Sequence, residues 1–320
     1  MPYAEVSHWG EEVWDRDVTG VAVDSQDRVY VLRRTEPITV LHSDGTVLDR
    51  WIHECLSSRP HHISIGPDDR IYIADDGGHQ VHMFEASGRL VGSIGNGIAS
   101  ETGFDNQAYP DIEAALENMR GGPPFNRPTK AALSLTGDLF VSDGYRNCRV
   151  HRFNADGQLV QSWGKAGSGD GCFVTPHSIA VDRGGRVLVC DRENDRIQLF
   201  SRDGDLLGIW TQVQRPTDLA FDRRGLVYVT ELPRGPKDMK SCRLGGSDKE
   251  LPGGVAILSP DGVRIDRISC SEFGFPAPHA VAVDSAGAVY VSEIPQTFAE
   301  WTGRPYRPHR CLRKFELFSF

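Results

Sequence analysis

Short runs of alternating apolar and polar positions recur along the chain, separated by glycine- and aspartate-bearing turns. The clearest stretch is PHSIAVDRGGRVLVCDRENDRIQLFSRDGDLLGIW, residues 176–210. SIAVD alternates with period two, as a strand with one buried face does. The turn RGG leads into RVLVCD. Arg192–Asp195 then separate that run from RIQLF, and the Asp-Gly turn SRDGD joins it to LLGIW. Four short antiparallel strands in a unit of about forty residues are the signature of a propeller blade.

The same unit recurs at 18–52, 60–95, 127–164, 215–269 and 277–318. The pattern predicts an all-β fold, a six-bladed β-propeller occupying 1–320 as one domain. The last unit lacks a fourth strand. AEVSHWGEE, near the start, resembles the fourth-strand run LVQSWGKAG of the third unit. Residues 4–9 are therefore expected to pair onto blade six and close the ring, because an open ring leaves unpaired edges. The period and these motifs resemble the NHL-repeat family of six-bladed propellers along essentially the whole chain.

Topology selects a working face. In a four-stranded meander, second-to-third loops share a rim with the blade-to-blade connections. All long insertions are of these two kinds: 96–125, 232–253 and 295–310. Loops on a rigid scaffold are where function concentrates. The start of each innermost strand lies on that rim and carries one recurring slot: Thr19, His61, Thr129, His177, Thr217, His279. Threonine and histidine alternate strictly. His61, His177 and His279, from alternate blades, are expected to converge on the axis as metal ligands. Three imidazoles with an open position are a catalytic zinc arrangement. Alternation points His62 to the other side of its strand, and His42, His53, His82 and His151 fall on outer strands, where a surface position is expected.

Second-strand ends face the same space. They bring Asp75, Asp143, Asp191, Glu231 and Glu293, read as caps and inter-blade acceptors. Blade one breaks the series with Arg33-Arg34, and blade three adds Tyr145. A cation and a phenol beside a metal are candidates for chemistry. A nearby metal and arginine are expected to lower the phenol's pKa of ~10 and make it a base. Arg192, Glu193, Trp301, Arg304, Tyr306, Arg307 and His309 are placed on the rim or its inserts, to bind a carboxylate, cover the site or stand in solvent.

Composition narrows the partners. A net charge of −9 without a Lys/Arg run argues against nucleic acid and anionic membrane. No apolar stretch reaches membrane-spanning length. MPYAEVSHWGEE lacks the basic and apolar regions of a secretory leader, so a cytoplasmic location is expected. Seven scattered cysteines without a CxxC read as reduced thiols.

VSDGYRNCRVHRF, QSWG and VTPHSIAVDRGGRVLVCDRENDRIQLF look like the core of the peptidylglycine alpha-amidating lyases, most densely over 138–200. The resemblance implies a zinc propeller that cleaves peptidyl-α-hydroxyglycine to a peptide amide and glyoxylate. It implies His61, His177 and His279 as zinc ligands, Tyr145 as the phenol and Arg34 as the arginine. The chain departs from the family where Ala277 stands in place of a methionine and Arg146 in place of a disulfide cysteine. Ala280 stands in place of an aspartate that binds a structural calcium, so Ca2+ is not expected. Three readings stay open: a zinc-dependent lyase acting on a small molecule or short peptide, a zinc-dependent hydrolase, and a non-catalytic binding scaffold.

Overall fold

A computed structural model describes residues 3–7, 9–10, 14–103, 121–236, 248–269, 274–306 and 309–318. Six four-stranded antiparallel sheets form the blades of a propeller. The innermost strands are Gly20–Val23, Pro60–Ile65, Lys130–Leu133, Pro176–Val181, Pro216–Phe221 and Pro278–Val283. The second strand of each blade is buried along its length, as Leu139–Asp143 and Val187–Asp191 are, because neighbouring blades cover both faces. These strands accordingly read as apolar runs rather than alternations. Outer strands such as Leu206–Trp210 keep one side wet. The core lies between the blades: Phe140 and Val150 of blade three pack on Ile179, Val187, Val189 and Phe200 of blade four.

The ring closes at the N-terminus. Tyr3–Glu5 pairs antiparallel with Leu312–Leu317, with Tyr3 opposite Leu317 and Glu5 opposite Phe315. The Val6 N–H continues the pairing to the Lys314 carbonyl. The strand thus starts one residue earlier than 4–9, and His8 lies outside the described residues. The Tyr3 hydroxyl meets the Tyr228 hydroxyl of blade five at 2.8 Å. Trp9 is buried and donates from Nε1 to the Ser43 carbonyl of blade one at 2.9 Å.

The carboxylates at the second-strand ends pin the segments that lead into the inner strands. Asp143 accepts from the Asn126 N–H, Asp191 from that of Val174 and Glu231 from that of Gln214, at 2.8, 2.7 and 3.0 Å. The 295–310 insertion forms helix α1, Pro295–Thr302, begun by Pro295 and ended by Gly303 in the left-handed region. Of the other insertions, 104–120 and 237–247 lie outside the described residues.

Candidate metal centre

The slot residues reach the axis through a repeated irregularity. In blades two, four, five and six the ladder skips one residue just after the proline: His61, His177, Thr217 and His279 have no partner on the second strand. Each sits in a bulge, which re-aims a side chain out of the pleat. Alternation therefore fails where the site is built. His62 is buried as well, with its ring 5.6 Å from those of both His61 and His279. It lies one level below the convergent set and is not part of it.

The strict Thr/His alternation has a physical cause. Nδ1 of His61, His177 and His279 lies 2.7 Å from the carbonyl of Thr129, Thr217 and Thr19 respectively. In return, the Thr129 hydroxyl reaches the Pro176 carbonyl at 2.8 Å and that of Thr217 reaches Pro278 at 3.0 Å. Each histidine is thus oriented by the threonine slot of the next blade. A carbonyl only accepts, so Nδ1 carries the proton and Nε2 keeps a lone pair. Ligand nitrogens of the three histidines lie within 4.8 Å of one another. Burial pushes His61 down to about 3 and the other two well below the usual imidazole value. All three are neutral at physiological pH.

This set fits a metal ion. Buried lone pairs converge where a single hydroxyl, that of Tyr145, lies 2.8 Å from Nε2 of His61 and 3.2 Å from Nε2 of His177. One O–H satisfies one acceptor, and a cation answers the rest. A carbonyl on Nδ1 is the partner that metal-ligating histidines ordinarily have. The three histidines can hold a divalent ion of the kind that favours imidazole.

Tyr145 is held close by its neighbour in sequence. A Cβ at Gly144 would overlap the Pro176 carbonyl oxygen, so only glycine lets this strand end run against the segment carrying His177. Burial raises the phenol's pKa, Arg192 opposes that and Asp76 adds to it. Among the protein's own groups, desolvation outweighs the arginines; the expected lowering draws on a bound metal as well.

Around the phenol stands a collar of arginines. The Arg192 guanidinium lies 5.9 Å from the Tyr145 ring and 5.0 Å from Trp301. The Arg215 guanidinium lies 5.6 Å from the same Trp301 ring. Arg192, Glu193, Arg215 and Arg234 are all buried rather than solvated. Glu193 bridges Arg192 and Arg215 at 2.7 and 3.2 Å, and Arg234 pairs with Asp195 at 3.0 Å. Arg59 pairs with Asp76 at 3.0 Å. Arg34 donates to the Thr297 hydroxyl of α1 at 3.3 Å and forms no ion pair among the described residues. Its charge bears on His61, His279 and Tyr145.

The structure therefore brings together His61, His177, His279 and Tyr145, with Arg34 at the rim. Arg304 and His309 pair with Glu250 and Glu293, Trp301 and Tyr306 stay exposed, and Arg307 lies outside the described residues. His82 and His151 are buried, against the expectation of a surface position. Each donates or accepts at a serine of the fourth strand and faces a second-strand carboxylate, Asp75 or Asp143. Ala277 packs with Leu232, Ile294 and Phe298 beneath α1. Arg59 and Arg215 escaped the sequence reading, although both occupy the same place, immediately before a slot proline.

The chain is similar to known proteins along most of its length. The chain is 28% identical over 326 residues to the peptidylglycine alpha-amidating monooxygenase of Rattus norvegicus, covering 97% of this chain and 30% of that protein. It thus spans about a third of those larger relatives. It is 29% identical over 296 residues to a probable peptidyl-alpha-hydroxyglycine alpha-amidating lyase of Caenorhabditis elegans, covering 90% of this chain and 75% of that one. Among solved structures, a streptogramin B lyase superposes with a TM-score of 0.59 at 12% identity, over 99% of this chain and 98% of that one, which speaks to the fold alone. No helix among the described residues is long and apolar enough to cross a membrane. The NHL repeat model matches residues 173–200, which carry His177 and Arg192. The NHL repeat-containing protein 3 of Mus musculus is 30% identical over 304 residues, covering 89% of this chain and 80% of that one. With its blades, its repeat and this relative in agreement, the chain belongs to the NHL-repeat family of β-propeller proteins.

Proposed function

We propose that this protein is a zinc-dependent lyase that cleaves the C–N bond of an N-acyl-α-hydroxyglycine, a small molecule or short peptide, to an amide and glyoxylate. The observation that carries the reading is the Tyr145 hydroxyl within hydrogen-bond reach of two convergent Nε2 atoms. The named amidating lyases among the relatives support it. His61, His177 and His279 would hold the zinc. When bound, zinc supplies a Lewis acid that makes a hydroxyl presented to it more acidic.

The residues supply the remaining parts. In the reaction the substrate hydroxyl loses its proton and its oxygen becomes a carbonyl. The C–N pair leaves with nitrogen, and that nitrogen gains a proton. Tyr145 Oη faces the ligand nitrogens and carries a proton in the resting site, so it protonates the departing nitrogen and is recharged from the hydroxyl. Arg34, which lacks a carboxylate partner among the described residues, takes the substrate carboxylate. Arg192 stands over the phenol, where it offsets negative charge that develops as the proton moves.

The test is glyoxylate release from N-acyl-α-hydroxyglycines of varied acyl length, beside a panel of esters, lactones and amides, using zinc-loaded protein. Glyoxylate from at least one hydroxyglycine, in equal yield with amide, is expected. Hydrolysis of a lactone or amide without glyoxylate would replace the lyase by a hydrolase. Inactivity on both panels would leave the binding scaffold.

A further inference from the structure

One residue past the slot, the inner strands carry Gly20, His62, Lys130, Ser178, Asp218 and Ala280. The Asp218 carboxylate is fully buried and forms the hub of this level. Its Oδ1 accepts from Lys130 Nζ and, at 2.6 Å, from the Ser178 hydroxyl. Its Oδ2 accepts from the Val281 N–H at 3.0 Å, and Nε2 of His62 lies 3.6 Å away. Side chains or backbone of blades two, three, four and six thus meet on one carboxylate of blade five.

Every one of these contacts runs to a ligand. Lys130 follows Thr129, whose carbonyl holds Nδ1 of His61. Asp218 follows Thr217, whose carbonyl holds Nδ1 of His177, and Ser178 follows His177 itself. Val281 stands two residues after His279, and the His62 ring stacks on that of His279 at 5.6 Å. The pair therefore fixes the floor from which all three imidazoles rise.

The calcium that the family resemblance implies does not fit this floor. Ala280 offers no side-chain oxygen. The carboxylate present at this level already has an ammonium, a hydroxyl and an amide N–H on it. A positive charge is built into the chain where a bound cation would otherwise be required.

We infer that the Lys130–Asp218 pair replaces a second, structural cation and positions the three histidines, so that the chain takes one metal ion and not two. This rests on the metal reading of the site. The test uses Co2+ as the probe of the histidine site, on metal-free full-length protein, with thermal melts in parallel. Lys130→Met leaves a buried carboxylate unpaired and should lower the melting temperature sharply. The double variant Lys130→Met/Asp218→Leu has no orphaned charge, should melt near the wild type, and keeps the test open where the single variant fails to fold. In it Co2+ affinity should still fall by roughly 10–100-fold, the range that partners of metal ligands command. Millimolar Ca2+ should not move the wild-type melting temperature. A Ca2+-dependent rise, stoichiometric calcium in the purified protein, or wild-type Co2+ affinity in the double variant overturns the inference. A wild-type chain that binds no Co2+ overturns the metal reading instead, and the calcium and melting arms then decide on the pair alone.

Discussion

The Tyr145 hydroxyl lies 2.8 Å from Nε2 of His61, the nitrogen that the Thr129 carbonyl leaves without a proton. Phenol and imidazole lone pair are thus arranged across the point where three ligands meet. Burial opposes ionisation of that hydroxyl.

Tyr145→Phe should therefore remove proton transfer and leave the metal in place. General acid–base residues contribute roughly 10²–10⁴-fold, and a loss of kcat in that range is expected. Metal content, measured by elemental analysis on the same samples, should match wild type. A variant with wild-type kcat would rule the phenol out as the proton carrier.

His177→Ala removes one of three imidazoles and should abolish stoichiometric zinc, since two neutral nitrogens no longer close a site. His62→Ala is the control. Its ring lies a level below, stacked on His279, so the variant should keep a full complement of metal. Retention of all the zinc by His177→Ala would place the ion elsewhere.

Much of this arrangement is legible in the sequence, because the repeat prints it six times. The slot, the second-strand carboxylates and the fourth strand borrowed from the N-terminus follow from register alone. What is not legible depends on contacts between repeats. Lys130 and Asp218 occupy equivalent places 88 residues apart, and only ring geometry makes them partners. The bulges that bring both His61 and His62 to the axis leave no mark in the alternation that they break. Arg192, Arg215 and Arg234 look like surface residues until Glu193 and Asp195 are seen to pair with them. His82 and His151 are buried because third strands are sandwiched between neighbouring blades, a fact about packing rather than pattern.

Ring closure is testable by truncation. Deleting residues 1–10 removes the strand Tyr3–Glu5, the Tyr3–Tyr228 hydrogen bond and the buried Trp9, and leaves Leu312–Leu317 as a free edge. Loss of a buried tryptophan alone costs roughly 3–5 kcal/mol. For a chain of this size a drop in melting temperature of about 5–10 °C is expected, with aggregation at the exposed edge. An unchanged melting curve would show that this strand does not hold the ring together.

The arginine collar predicts a pH dependence of stability. Arg215 and Arg192 hold the buried Glu193 carboxyl down to about 2, against the effect of burial, which acts to raise it. An unfolded chain takes up that proton near pH 4.3. Because the folded value is the lower one, the unfolded state binds the proton first on acidification. The stabilisation is therefore complete above about pH 4.3 and drains away as pH falls towards about 2. Other carboxylates titrate in the same window, so the informative quantity is the difference between wild type and Glu193→Gln. At neutral pH the variant should be the less stable, because Arg192 and Arg215 lose a shared anion in a buried place. Between about pH 4.3 and 2 the two curves should converge, as the wild type loses what the variant never had. Denaturant melts at several pH values, fitted with a common m-value, measure this difference. A gap that stays constant down to pH 2 would mean that the Glu193 charge does not hold the collar.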